Sequence, residues 1–197
     1  MQQLFRNLFL AICLLTAIGC TQAPHEFGGV VYNPPTPIAD FTLTAANNQA
    51  ISLSDYQGKY VFIYFGYTFC PDICPTTLAK LAAVQQALGD DADNMQVIMV
   101  SVDPERDTPE TLAEYVHHFN DSFVGVTGSQ EEIDAAGNPF GLYYAKHDGT
   151  AESGYLVDHT ARAFLLNPEG QVIVAYAHDA AQETVLADMQ YLLANDE

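Results

Sequence analysis

Positively charged residues are scarce in this chain. Its 197 residues include six Lys and Arg against 25 Asp and Glu, which gives a formal net charge of −19. The few cations are scattered and form no basic stripe that could neutralise phosphates, which argues against nucleic acid as a partner. An anionic lipid surface is equally unattractive to so acidic a chain. The excess of acid indicates a solubilising surface.

An apolar run long enough for a transmembrane helix is missing near the N-terminus. The run at residues 8–18 has 11 residues, whereas a spanning helix needs about 20. With Arg6 before it and small residues behind it, the run predicts a secretory signal peptide over residues 1–19. Ordinary cleavage remains open, but a Cys directly after Gly19 resembles a bacterial lipoprotein box. We favour lipidation of Cys20, because its thiol would otherwise be unpaired outside the cytoplasm.

The N-terminal segment that follows is predicted to be a tether. Residues 20–38 are rich in Pro and Gly and show little hydrophobic periodicity, which is typical of a linker. Residues 39–197 would then form one domain, held by a lipid on the periplasmic side of a bacterial membrane. An alternative remains open, in which the segment packs along the domain through Val30, Val31 and Tyr32.

Beyond residue 39 the apolar pattern alternates between the strand period and the helix period. Strands are predicted at 41–43, 50–53, 60–65, 95–102, 123–126, 163–166 and 171–176, and helices at 76–88, 108–119, 129–140 and 179–193. Thr108, Ser129 and Asp179 are the expected N-caps. The pattern predicts an α/β sandwich with a mixed central sheet flanked by helices and an N-terminal hairpin.

Cysteine is too scarce for a disulfide framework. Of four cysteines, Cys13 belongs to the leader and Cys20 to the lipid, which leaves Cys70 and Cys74. Both lie in FGYTFCPDICPTTL, residues 65–78, between the most buried predicted strand and the next helix, where open α/β sheets bind ligands. Cys74 lies at the predicted helix N-terminus, which favours a thiolate there.

The residues alone leave three roles open for this pair. A structural disulfide would close a loop of only a few residues and would stabilise the fold little. A redox pair fits the position, although thioredoxin-like pairs have two intervening residues and this one has three. A metal site is the third, since two thiolates one helical turn apart converge on one ion and soft sulfur selects Cu(I), zinc or an iron–sulfur cluster.

A metal would need a further ligand, because two thiols are too few for a four-thiolate cluster. His159 is the candidate, in a loop expected to face the cysteines in a thioredoxin-like sandwich. His117 and His118 fall in a predicted helix and are expected to be surface or packing residues.

Three separated segments resemble the Sco/SenC family of copper-binding, membrane-associated assembly proteins for cytochrome c oxidase. They are FGYTFCPDICPTTL, SVDPERDTPE at 101–110 and VDHTARAFLLNPEG at 157–170, in the family's order. The resemblance implies a thioredoxin-like three-layer fold and a copper ion, Cu(I) or Cu(II), held by Cys70, Cys74 and His159. It also implies a copper metallochaperone that delivers the metal to the copper A site of cytochrome c oxidase subunit II.

Two other functions remain open. The Cys70–Cys74 pair could serve as a redox disulfide that reduces the cysteines of the copper A site, or the protein could be a copper or redox sensor. Other periplasmic copper chaperones or thiol reductants are further candidate partners. Thr160–Ala161 contains no proline where thioredoxins carry a cis-proline, which weakens a general disulfide-exchange role. Asp103 and Asp107 match the family's DxxxD element, and we expect them to form a helix-capping turn.

Overall fold

A computed structural model of the protein describes residues 25–150 and 154–195. The predicted signal peptide and the candidate lipidation site Cys20 lie outside the described residues. Among the helices within those ranges, none has the length and apolar character needed to cross a bilayer.

The central element is a six-stranded mixed sheet. Its strands are β1 (Val30–Pro37), β4 (Tyr60–Gly66), β5 (Met95–Ser101), β6 (Val124–Val126), β9 (Arg162–Leu166) and β10 (Gln171–Ala177). They are arranged in the order β1-β10-β9-β4-β5-β6. The strands β4, β5 and β6 are parallel, whereas β9 runs antiparallel to both β4 and β10. Two hairpins lie outside this sheet, β2 (Thr42–Ala45) with β3 (Gln49–Ser52), and β7 (Tyr144–Asp148) with β8 (Tyr155–His159).

In the part of the chain that the structure describes, four α-helices flank the sheet: α1 (Ile73–Ala87), α2 (Pro109–His117), α3 (Gln130–Gly137) and α4 (Gln182–Ala194). The helices α1 and α4 contact each other, and α2 contacts β6 and the first hairpin. The predicted α/β sandwich with a mixed sheet is confirmed.

Burial explains why the central strands were readable from the sequence. Every residue of β4 and β5 is buried, as a continuous apolar run in a parallel strand requires. Three aromatic rings close the core beside β4: the centroids of Phe65 and Phe140 are 5.4 Å apart, and those of Phe140 and Phe164 are 5.1 Å apart. Such edge-to-face contacts add to the stabilisation from burial.

Two predicted helix starts are confirmed. The Thr108 side chain accepts a hydrogen bond from the Thr111 N–H, with Pro109 at the first helical position. Ser129 and Glu132 form a reciprocal capping box at the start of α3. The prediction for Asp179 was wrong, because α4 begins at Gln182 and Ala181 occupies its N-cap without a side-chain hydrogen bond.

The tether prediction fails over residues 30–37, which form the edge strand β1. The alternative of packing along the domain describes this segment better, although Val30 and Val31 are 54% and 49% exposed. The prolines are tolerated because an edge strand leaves one side unpaired, and the register with β10 shifts between Val31 and Thr36.

Candidate metal site

Cys70 and Cys74 lie beyond the end of β4, in the connection from this strand to the first turn of α1. Cys70 follows β4 in a short loop, in which its N–H donates to the carbonyl oxygen of Tyr67. Cys74 is the second residue of α1, a helix that begins three residues earlier than the sequence predicted. Proline at position 75 suits this first turn, because its missing N–H has no partner there.

Gly66 allows the first turn of α1 to approach the sheet closely. A Cβ atom at this position would lie 3.0 Å from the Cys74 sulfur and 2.8 Å from the Tyr64 ring. Cys74 is therefore fully buried between the helix and the strand, whereas Cys70 is only partly buried.

His159 reaches the same place from a different element. It is the last residue of β8, and not part of a loop as the sequence predicted. Its Nε2 lies 3.5 Å from the Cys74 Sγ, although the two residues are 85 positions apart. With the proton on Nδ1, the ring faces the Thr160 carbonyl at 3.4 Å and directs the Nε2 lone pair at the cysteines. A backbone partner of this kind fixes the orientation of histidine ligands in metal sites.

The three side chains form a compact donor set. One ligand atom from each of Cys70, Cys74 and His159 lies within 4.8 Å of the others, and no other group of three or more His, Cys, Asp or Glu with this geometry occurs in residues 25–150 and 154–195. Two thiolates and an imidazole suit three-coordinate copper, whereas structural zinc takes four ligands. The two sulfurs are also close enough to each other for the pair to interconvert between two free thiols and a disulfide.

The two thiols differ in their electrostatics. The pKa of Cys70 is lowered to about 3, chiefly by a hydrogen bond from the Cys74 thiol and also by His159 and backbone N–H groups, while partial burial opposes the shift. The pKa of Cys74 is raised by the same hydrogen bond and by burial. The thiolate predicted at Cys74 therefore belongs on Cys70, because the hydrogen bond that Cys74 donates to Cys70, together with complete burial, outweighs the helix dipole at position 74.

Aromatic rings hold the imidazole in place. The rings of Tyr64 and Tyr67 meet the His159 ring edge-on, with centroids 6.1 and 5.8 Å away. The Tyr67 hydroxyl also accepts a hydrogen bond from the Val157 N–H in β8. Tyr67 is thus buried between the cysteine loop and the histidine strand.

The site is open on one side. A groove of about 550 Å³ runs past Cys70 and His159 and is bordered by Tyr143 and Asp158. Tyr143 and Phe69 are 67% and 56% exposed beside the site. A partner protein can therefore reach the partly buried Cys70 without unfolding of the domain.

The other described histidines lie away from this donor set. His117 and His118 are exposed at the end of α2, as expected of surface residues. His25 contacts Asp188 at 2.7 Å. His147, on the hairpin strand next to β8, lies 3.2 Å from Asp158.

Sequence reasoning misjudged Asp103 and Asp107. The expected helix-capping turn was wrong for their side chains, because Thr108 caps α2. Asp107 instead accepts hydrogen bonds from Thr68, and Asp103 accepts one from the Tyr155 hydroxyl. Burial raises the pKa of Asp107, although these hydrogen bonds oppose the rise. The DxxxD spacing marked the two residues, but nothing in the sequence identified their distant partners.

Comparisons with known proteins agree with this geometry. The SCO1/SenC family model matches residues 32–194. The mitochondrial SCO1 homologue of Mus musculus is 38% identical over 135 residues, which are 68% of this chain and 48% of that protein, so the chain spans about half the length of this relative.

Two solved structures show the same fold. The apo Sco1 protein from Thermus thermophilus is 41% identical, with a TM-score of 0.78, and the match covers 87% of this chain and 99% of that chain. Bradyrhizobium japonicum ScoI with copper bound is 35% identical, with a TM-score of 0.71, and the match covers 79% of this chain and 99% of that chain. The predicted thioredoxin-like fold is confirmed. The chain belongs to the SCO1/SenC family, a family of copper-binding proteins in cytochrome c oxidase assembly.

Proposed function

We propose that the protein is a copper metallochaperone that delivers copper to the copper A site of cytochrome c oxidase subunit II. One copper ion is bound by the two sulfurs of Cys70 and Cys74 and the Nε2 of His159. The observation that carries this proposal is the convergence of these three donors within 4.8 Å of one another. The copper-bound relative from Bradyrhizobium japonicum supports the choice of metal.

The uneven burial of the donors supports transfer rather than permanent storage. Cys74 is enclosed by α1 and β4, whereas Cys70 and His159 border an open groove. A partner's thiolate or imidazole approaches the metal from the groove and replaces ligands one at a time. Because three donors leave coordination positions free on copper, the incoming ligand binds before a resident ligand departs.

The leader and Cys20 support a periplasmic location on a bacterial membrane. In this proposal, residues 1–19 are the signal peptide and Cys20 carries the lipid anchor. The first strand of the domain, β1, begins at Val30, ten positions after Cys20. A lipid anchor keeps the carrier beside its membrane-embedded target even though the acidic domain itself has little attraction for an anionic surface.

A second candidate function is thiol reduction at the same copper A site. The observation that favours it is the pair of free thiols with a stabilised thiolate on Cys70, because thiolates are the nucleophiles of disulfide exchange. Reduction would need both cysteines but not the imidazole. A copper or redox sensor would use the same donors and remains a third candidate.

A complementation experiment separates delivery from reduction. A strain that lacks this protein receives the wild-type, His159→Ala or His117→Ala chain, and oxidase activity is measured at low copper. His117 is the matched control, because it is an exposed histidine at the end of α2 and does not border the groove. We expect His117→Ala to restore activity and His159→Ala to fail. Full restoration by His159→Ala would refute three-ligand copper delivery and would favour the reductase.

A further inference from the structure

We infer that Asp103 and Asp107 are positioning residues that fasten the cysteine loop and the histidine hairpin to each other through the segment at 101–107. The inference rests on the proposed copper site, because it concerns how the two parts of that site are held together. Neither carboxylate belongs to the donor set, so both would act through the residues that they contact.

The two parts of the site need a connection outside the main sheet. Cys70 and Cys74 follow β4, which lies inside the six-stranded sheet. His159 ends β8, which pairs only with β7 among the described strands and forms a separate two-stranded sheet. The backbone connects β8 to the main sheet only through residues 160–161, which lead into β9 and its pairing with β4. Side-chain contacts are therefore needed to hold the body of the β7–β8 hairpin against the cysteine loop.

Asp107 holds the cysteine side. Its Oδ2 accepts hydrogen bonds from the Thr68 N–H at 3.1 Å and from the Ser101 hydroxyl at 2.7 Å, and its Oδ1 accepts one from the Thr68 hydroxyl. Thr68 lies two residues before Cys70. Asp107 is 1% exposed and Ser101 is fully buried, so water cannot replace the carboxylate at Ser101 if it is removed.

Asp103 holds the histidine side. Its Oδ1 accepts a hydrogen bond from the Tyr155 hydroxyl at 2.6 Å. Arg106 strengthens this contact, because its Nε donates to Asp103 while its Nη1 donates to the Tyr155 carbonyl oxygen at 3.0 Å. The guanidinium also lies 3.7 Å from the centre of the Tyr155 ring. Tyr155 is the first residue of β8, and His159 is the last.

The two carboxylates are themselves joined by a closed turn. The Asp107 N–H donates to the Asp103 carbonyl oxygen at 2.9 Å. The Ser101 hydroxyl oxygen accepts from the Asp103 N–H at 3.0 Å and donates its proton to Asp107. A continuous chain of hydrogen bonds thus runs from Thr68 to Tyr155. Residues that orient ligands in this indirect way commonly change metal affinity by about 10–100-fold when they are mutated.

Amide hydrogen exchange of the full chain, reduced and without metal, tests the inference without copper. Asp107→Asn puts an amide donor or a weaker acceptor opposite Thr68 and Ser101, so we expect exchange to rise by about tenfold or more in residues 67–74 and to stay unchanged in 155–160. Asp103→Asn should show the opposite selectivity. Exchange that is unchanged in both segments, or that rises equally throughout the domain, would overturn the inference.

Milder variants keep the test decisive if an Asn variant does not fold. Thr68→Val removes one donor to Asp107, and Tyr155→Phe removes the hydroxyl that donates to the Oδ1 of Asp103, both with nearly unchanged shape. Each should increase exchange in its own segment only. Asp158→Asn is the control, because Asp158 neighbours His159 but its side chain is 73% exposed and contacts His147; it should leave both segments unchanged.

Copper binding supplies the second readout. Both Asn variants should bind copper about 10–100-fold more weakly than the wild type, and X-ray absorption should show preferential loss of nitrogen scattering in Asp103→Asn. Unchanged affinity in both would overturn the positioning role. If the wild-type chain itself binds no copper, the proposed function fails, whereas the exchange pattern still decides whether the two segments are fastened through Asp103 and Asp107.

Discussion

Replacing Gly66 by alanine should disturb the candidate metal site from its buried side, where β4 packs against Cys74. Gly66 is the last residue of β4 and is buried. Its backbone is not in the left-handed region, so the backbone conformation at this position also suits alanine. The added methyl, however, would lie 3.0 Å from the Cys74 sulfur, 2.8 Å from the Tyr64 ring and 3.2 Å from the Met99 methyl.

The magnitude follows from the number of neighbours that must move. Extra methyl groups in a close-packed core cost about 1–3 kcal/mol, and for a chain of this size each 1 kcal/mol lowers the melting temperature by about 2–4 °C. The contact at Cys74 has a further effect, because the sulfur is displaced from the other two donors. A loss of about 1.4 kcal/mol in binding corresponds to about tenfold weaker copper affinity, which is the smallest effect that we expect.

Gly125→Ala provides a matched control for this measurement. Gly125 is a buried strand residue in β6, and a Cβ there would lie 2.9–3.0 Å from atoms of Leu112 in α2, remote from the cysteines. Both variants are compared by thermal unfolding without copper and by anaerobic copper titration. Both should lose stability, but only Gly66→Ala should lose copper affinity. Equal affinity in the two variants would refute the contact between Gly66 and the metal site.

Three further outcomes follow from the described residues. The pKa of Cys70 is lowered from 9.0 to about 3. Its thiolate therefore contributes stability that is complete above pH 9.0 and is lost as the pH falls through about 3. The ultraviolet absorbance of this thiolate should persist at about pH 5 and should be absent in Cys70→Ser. Asp188→Ala leaves the Gly28 N–H and the buried Tyr176 hydroxyl without their acceptor, so denaturant unfolding should show a loss of about 2–3 kcal/mol. Asp179→Ala should lower the free energy of unfolding by less than about 0.5 kcal/mol in the same assay, because Asp179 is exposed and caps no helix. A loss of about 1 kcal/mol would instead indicate that Asp179 acts as an N-cap.

Local signals explain what the sequence could predict. The capping hydroxyls of Thr108 and Ser129 act on backbone N–H groups three residues away, so both helix starts were visible in short windows. The strands β4 and β5 are buried along their whole length, and their apolar runs are continuous. Cys70 and Cys74 were found because both belong to one short motif.

Long-range contacts explain what the sequence could not predict. The partners of Asp107 and Asp103 lie 39 and 52 residues away, and no periodicity reports such distances. The strand β1 was obscured by its prolines, because a bulged edge strand and a linker have the same composition. The protonation order of the two thiols depended on the burial of Cys74 between α1 and β4, which is a property of the packed fold.

His159 lies between these two cases. It is one of six histidines in the chain. Because it lies 85 residues from Cys74, the sequence around it gave no local reason to choose it as the third ligand. The expected fold directed attention to it, because in a thioredoxin-like sandwich the chain at this position faces the cysteine loop, and the family resemblance of the segment at 157–170 then agreed with that choice. The structure then showed the Nε2 atom beside the Cys74 sulfur.

X-ray absorption spectroscopy of the reduced full chain, titrated anaerobically with copper, tests the three-donor site most directly. The account predicts one copper per chain, with scattering from two sulfurs and one imidazole nitrogen and with loss of the nitrogen in His159→Ala. Copper that shows no sulfur ligands, or a wild-type spectrum retained in His159→Ala, would contradict the assignment of Cys70, Cys74 and His159 as the ligands.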